Sequence, residues 1–171
     1  MNAFLSTLLI LFTAPILLRL EGKRVTAKKL FLFKPRLEDA ADAAKLFAKA
    51  FLVLLLLGLA LNAFGWLDSQ KIIGFIRLQP FEMLLLMVSL APFAEELLFR
   101  GYLQHRIGVV FSSALFAGLH YGYGSVSEVA GAFVVSMVLG AFMRRKKRLL
   151  PCVIAHAAYN AFSILLAFLL L

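Results

Sequence analysis

The stretch "LAPFAEELLFRG", residues 90–101, sets Glu95, Glu96 and Arg100 inside a run of otherwise apolar and small side chains. A charge at the centre of a bilayer costs about 2.5–3.5 kcal/mol on insertion scales, so three ionisable groups on one helix call for a functional reason. The rest of the chain says that the setting is lipid. Of 171 residues, 63% are hydrophobic and only 16% charged, and the mean hydropathy is +0.93, which excludes an ordinary soluble domain. Six apolar segments, about 2–19, 46–66, 81–103, 107–122, 127–143 and 149–170, approach the roughly 17–25 residues that a spanning helix needs. The fourth and fifth are short and suit the interior of a bundle. The expected fold is all-α, a polytopic membrane bundle of about six transmembrane helices forming a single domain over 1–171. Its N-terminal helix and basic interfacial segment occupy 1–49, and the polar motifs lie within about 80–165.

The formal charge of +9 does not point to nucleic acid, because the basic residues form short clusters between apolar runs, where lipid headgroups account for them. Nine of the 18 lysines and arginines lie in residues 19–49, and "RRKKR", 144–148, holds five more. These connections are expected on the cytoplasmic side together with His105 and Arg106, which puts 67–80, 121–126 and both termini outside. The first apolar run has its basic residues behind it, the pattern of a retained helix rather than a cleaved signal. Cys152 is the single cysteine, so an internal disulfide and a thiolate metal cluster are both excluded.

Two further pieces read as non-spanning. "KPRLEDAADAAKLFAKAF", 34–51, opens with a proline and acidic residues and carries lysines later, the order favoured by a helix dipole. It is expected to run along the cytoplasmic interface before the second span. "DSQKIIGFIRLQP", 68–80, is too short to cross and is expected at the outer surface or as a re-entrant element. Ser125 and Glu128 match a capping box at the start of the fifth span.

With small hydroxyl residues set aside, the polar side chains left deep in spans are Glu95, Glu96 and Arg100 on the third, His120 on the fourth, and His156 and Asn160 on the sixth. Residues four apart on an α-helix are about 40° apart and meet, whereas residues five apart are separated by about 140°. Glu96 is thus placed to pair with Arg100, while Glu95 points to another face and lacks a local cation. That leaves Glu95 as the candidate general base. His156 and Asn160 share a face and could receive a developing oxyanion. His120 and Phe116 share another.

The chemistry that this set supports is water activation: Glu95, assisted by His120, deprotonates a water that attacks a carbonyl, while His156 and Asn160 hold the oxyanion. A metal is the competing arrangement, with Glu95, His120 and His156 as a two-histidine, one-carboxylate set for one divalent ion such as zinc. No H-E-x-x-H signature supports zinc. An ion or proton relay fits less well, because the outer halves of the third and sixth spans, "MLLLMVSLA" and "ILLAFLLL", offer no polar path. Cys152, one turn from His156, is a weaker nucleophile candidate.

"EELLFR", "FAGLH" and "HAAYN" together resemble the E-E-x-x-x-R, F-x-x-x-H and H-x-x-x-N motifs of the CPBP family. These are the intramembrane CAAX prenyl endopeptidases and bacteriocin-processing or immunity proteins also called the Abi family. The resemblance covers roughly residues 80–165. It implies a glutamate-dependent or metallo-endopeptidase with Glu95 and His120 catalytic, Glu96 and Arg100 supporting the site, and His156 and Asn160 as the oxyanion hole. It also implies a peptide or protein substrate at the membrane, lipidated or not, and a home in a prokaryotic cell membrane. The alternative function is a non-catalytic immunity or scaffold protein of the same fold. The chain has fewer spans than the larger prenyl proteases, and its N-terminal part carries none of these motifs.

Overall fold

The computed structural model describes residues 3–169, so Asn2 and Leu170, at the ends of two expected spans, lie outside the described residues. Described secondary structure is helical throughout, with no strand among the described residues. The helices are α1 (Ala3–Leu20), α2 (Leu37–Ala63), α3 (Ser69–Arg77), α4 (Phe81–Val88), α5 (Leu90–Leu98), α6 (Gln104–Leu119), α7 (Val126–Lys146) and α8 (Leu150–Leu169). By length and apolarity α2, α7 and α8 could each cross a membrane, and α1 is a shorter apolar helix.

The exposure pattern is inverted relative to a soluble protein. Phe51, Leu52, Leu55, Leu56 and Leu59 on α2 and Phe4, Leu5, Leu9, Phe12 and Ile16 on α1 face outward. Glu96, Arg100, Ser113 and Ser136 are instead at most 1% exposed. Apolar surface outside and satisfied backbone inside is what hydrocarbon solvent selects. The chain is a membrane protein built as an all-α bundle.

Two expected segments differ in detail. The piece expected along the interface is continuous with the second span: α2 runs unbroken from Leu37. Its buried residues Asp39, Ala43, Leu46 and Ala50 recur at helical spacing and form one stripe against the bundle. The third segment, by contrast, is not one helix. It breaks at Ser89 (φ −124°, ψ −92°) between α4 and α5, and Pro92 explains why. A proline ring clashes with the carbonyl four residues earlier, here that of Val88, so the chain restarts and Pro92 falls in the first turn of α5. Beyond α5, residues Phe99–Leu103 form a π-turn. Gly108, at φ +81°, then breaks α6 internally in a conformation that favours glycine. The fourth segment is correspondingly short.

The ends of the bundle are pinned by charge. At one end Arg106 grips Glu21 through Nε–Oε1 and Nη2–Oε2 contacts of 2.7 Å each, and Tyr102 donates its hydroxyl to the same carboxylate. Arg148 likewise binds Asp39, Nε–Oδ1 2.6 Å and Nη2–Oδ2 2.5 Å, and Phe31 stacks on His105 at 4.4 Å. At the other end Asp68 accepts from Ser125, Val126 and Ser127. The loops around 21–36, 105–108 and 147–149 therefore share one end, and those around 68 and 124–127 share the other, matching the alternation read from the basic clusters. The capping box is half present: the Ser125 hydroxyl accepts from the Glu128 amide at 3.1 Å, and Asp68 supplies the remaining acceptors. The 68–80 segment is a nine-residue helix, α3, tied to α8 by a 2.6 Å bond from Arg77 Nε to the Ala167 carbonyl.

Hydrogen bonds from Arg106, then Lys23 and Tyr102, hold the Glu21 carboxyl well below the usual carboxylate range. A carboxylate with a depressed folded pKa stabilises the fold above its unfolded pKa and loses that contribution as pH falls through the folded value. Thermal unfolding in detergent should therefore be insensitive to Glu21 titration near neutrality. Below about pH 4 the melting temperature of the wild type should fall more steeply than that of Glu21→Gln.

Candidate active site

The three motif-bearing helices converge on α5. Pro92 places α5 so that Glu95 and Glu96 come one turn before the π-turn, and the π-turn carries Arg100. Glu96, fully buried, pairs through Oε1 with Arg100 Nη1 at 2.9 Å, the i,i+4 contact that the spacing predicts. The same oxygen meets His156 Nδ1 from α8 at 2.9 Å. Glu96 Oε2 and the two Nη atoms of Arg100 make no hydrogen bond among the described residues, so the Glu96–Arg100 contact is an ion pair without aligned N–H donors. The guanidinium instead lies over the Phe116 ring, 4.6 Å from its centroid, where the ring quadrupole favours a cation.

Phe116 is the centre of a ring cluster. It meets Phe99 edge-on at 5.2 Å, His156 edge-on at 5.8 Å and His120 at 4.8 Å. It is 3% exposed, and both histidine rings are thereby kept against the same side chain.

Glu95 has a different environment. Its side chain is 21% exposed, and Oε2 lies 3.8 Å from His156 Nε2. His156 thus stands between the two glutamates, with Nδ1 toward Glu96 and Nε2 toward Glu95. A carboxylate at Nδ1 makes that nitrogen the donor and fixes the ring orientation.

His120 caps the end of α6, and its Nδ1 lies 3.0 Å from the Phe116 carbonyl. Since a carbonyl only accepts, Nδ1 carries the hydrogen, and Nε2 is left for other work. Tyr123 meets this ring edge-on at 5.7 Å. No hydrogen bond or ion pair joins His120 to Glu95 among the described residues; the two are related through Phe116 and His156.

Asn160 lies one turn along α8 from His156, and its Nδ2 donates to the Met87 carbonyl at 2.8 Å. That carbonyl sits just before the Ser89 break, where the regular i+4 donor is displaced, so Asn160 satisfies a backbone group in the helix interruption. The amide has a second N–H and an oxygen left over.

The serines are engaged elsewhere: Ser112 donates to the Phe99 carbonyl at 3.0 Å in the π-turn, and Ser136 and Ser113 bond to each other at 2.9 Å. Cys152 is buried, with Leu139 and Arg148 carbonyls near its sulfur, the environment of a small hydrophobe. Among the described residues no group of three or more His, Cys, Asp and Glu side chains is gathered closely enough to hold a metal ion. The set Glu95, His120 and His156 therefore does not fit a metal in this geometry. A groove of about 550 Å³ lined by Ile107, Phe111, Ala114 and Leu115 opens on α6 but touches none of the motif residues.

The sequence did not point to Met87, Tyr123 or Asp68. Pro92 was the available signal for the first, through the break it imposes on Val88 and Ser89. Tyr123 and Asp68 carried no signal, because each acts across the fold.

Removing one partner of a buried ion pair strands the other at a cost of about 3–5 kcal/mol. Glu96→Gln and Arg100→Met should each destabilise the protein by that order in denaturant unfolding in detergent. The double variant should cost clearly less than the two singles added together. Additive losses would mean that the contact contributes nothing.

A family model described as type II CAAX prenyl endopeptidase Rce1-like matches residues 77–162, half of the chain. No curated protein and no solved structure matches the chain. The matched stretch contains Glu95, Glu96, Arg100, Phe116, His120, His156 and Asn160, and the family is one of proteases. The chain belongs to the type II CAAX prenyl endopeptidase Rce1-like family.

Proposed function

We propose that the chain is an intramembrane endopeptidase that hydrolyses a peptide bond with water activated by Glu95. The observation that carries this reading is the difference between two adjacent glutamates. Glu96 is fully buried and engaged by Arg100 and His156, whereas Glu95 is partly exposed and, among the described residues, has His156 at 3.8 Å as its one ion-pair contact. A carboxylate without a permanent partner, open on one side and bounded by an imidazole, can accept and return a proton.

In this reading Glu95 takes a proton from water while the water oxygen bonds to the carbonyl carbon of the substrate. The C=O electrons move onto oxygen, and that charge is received by the spare N–H of Asn160 and by His156 Nε2 when the ring, with Nδ1–H directed at Glu96, carries a hydrogen on both nitrogens. His120, with Nε2 free, assists the proton movement. Collapse of the tetrahedral species breaks the C–N bond, and the proton held by Glu95 goes to the leaving amine. Glu96 and Arg100 act by holding His156, a positioning role. No step is routed through a metal.

The substrate class is a peptide or protein at the membrane surface, with a lipidated C-terminal segment the first choice given the family. The topology that goes with this function has six spans with the basic loops cytoplasmic and both termini outside, in a prokaryotic cell membrane. The whole chain forms one domain.

The test is cleavage of fluorogenic peptides, prenylated and plain, by the protein in liposomes. Glu95→Gln should lower kcat by at least about a hundredfold while leaving the melting temperature near wild type, and His120→Ala should lower kcat substantially. Activity should survive a chelator. Cleavage retained in Glu95→Gln would remove the general-base assignment. Wild-type protein that cleaves nothing would favour a non-catalytic member of the same fold, and loss on chelation restored by zinc would favour the metal.

A further inference from the structure

We infer that Asp68, with Lys71 and Phe75, is a brace that positions His120. The inference rests on the proposed role of His120 and adds a segment lying before the family-matched residues, which begin at 77.

His120 does not sit within a regular helix. It opens a four-residue 3₁₀ turn, His120–Tyr123, at the end of α6. A helix end is free to fray, and the bond from Nδ1 to the Phe116 carbonyl fixes the ring only relative to the last turn of its own helix. Beyond its packing on α6 and α7, the turn is held by Asp68 at the start of α3 and by residues of α3 itself. The Asp68 carboxylate accepts from Ser125 Oγ at 2.7 Å, Ser127 Oγ at 2.5 Å, Ser127 N at 3.0 Å and Val126 N at 3.0 Å. It thereby caps the first turn of α7, immediately after the His120 turn. Lys71 Nζ donates to the Gly124 carbonyl at 2.9 Å and pairs with Asp68 at 3.2 Å. From α3, Phe75 packs on Tyr123 at 4.7 Å, and Tyr123 meets the His120 ring. Both the chain leaving the turn and the aromatic side chain beside the imidazole are therefore held by residues 68–75.

Four donors on one carboxylate are more than an interhelical staple needs. They hold the Asp68 carboxyl well below the usual range, chiefly through the Ser127 and Ser125 hydroxyls, so the brace stays charged across the physiological range. Placement matters for catalysis: a shift of about 1 Å in a catalytic group can cost up to a hundredfold in rate. Gly124, at φ +69°, supplies the left-handed link between the turn and α7, so the chain leaving the turn takes its direction from the residues that hold Gly124 and the start of α7.

The chain has only three histidines, His105, His120 and His156, so their imidazole signals can be assigned with single variants and followed by NMR on histidine-labelled protein in detergent. Asp68→Asn keeps the size of the side chain and removes the charge that gathers the donors. The expected result is a displaced His120 signal with His156 unmoved, together with a roughly tenfold drop in kcat at a KM within about twofold of wild type. Lys71→Met, which removes the Gly124 contact and the Asp68 ion pair but leaves the four hydrogen bonds to Asp68 in place, should give the same pattern more weakly, and it stands in for Asp68→Asn if that variant does not fold. An unmoved His120 signal in the folded variants would overturn the brace, as would equal displacement of His120 and His156. The NMR arm reads the brace directly, so failure of the peptidase reading leaves it intact; a displaced His120 signal with kcat unchanged would show that the brace serves no catalytic function.

Discussion

The structure depends on one problem and its solution: a carboxylate, a guanidinium and an imidazole buried among apolar helices. Glu96 and Arg100 are each at most 1% exposed, and either charge alone would be prohibitive there. One i,i+4 contact removes the net charge, and Phe116 receives the guanidinium face. His156 then enters from α8 onto the same carboxylate oxygen. The network thus links α5, the π-turn, α6 and α8, and the position of Glu95 and His156, the pair to which the proposed mechanism assigns the chemistry, follows from it. A π-turn at a functional site is a known device for shifting side chains off the regular helical register, and here it carries Arg100.

The same helix is interrupted on both sides of the motif. Pro92 breaks it before the glutamates and Gly108 breaks it after the π-turn, leaving short pieces whose carbonyls accept from side chains: Met87 from Asn160, and Phe99, which also accepts from the Gln104 amide, from Ser112. Irregular backbone at membrane depth is tolerated only where such partners exist. The polar residues of α6 and α8 therefore serve the backbone as well as any chemistry. Asn160 does both in the proposed mechanism, with one N–H for Met87 and the other for the oxyanion.

Much of the fold was legible because membrane solvent is a strong filter. The apolar runs marked the helices, and the basic clusters marked which loops share an end, as the contacts from Glu21 to Arg106 and from Asp39 to Arg148 bear out. The Glu96–Arg100 pair was legible because it is local, fixed by 3.6 residues per turn. What lay beyond reach was pairing across the fold: Glu96 with His156, Asn160 with Met87, Asp68 with the start of α7. Spacing along one helix says nothing about which neighbour stands opposite. The break at Ser89 had a local cause in Pro92, yet the unbroken apolar run masked it. The continuity of α2 was obscured by the change from a charged, amphipathic start to a uniformly apolar end, which marks where the helix meets lipid rather than where a helix stops.

The central claim is that water, activated by Glu95, attacks the peptide carbonyl directly, and its most direct test is the fate of the acyl group. Cleavage of a prenylated peptide in ¹⁸O-labelled water with hydroxylamine present should place one ¹⁸O in the new carboxylate and yield no hydroxamate, because no acyl-enzyme forms. Hydroxamate appearing at the scissile carbonyl would reveal a covalent intermediate on a serine or cysteine and contradict the account.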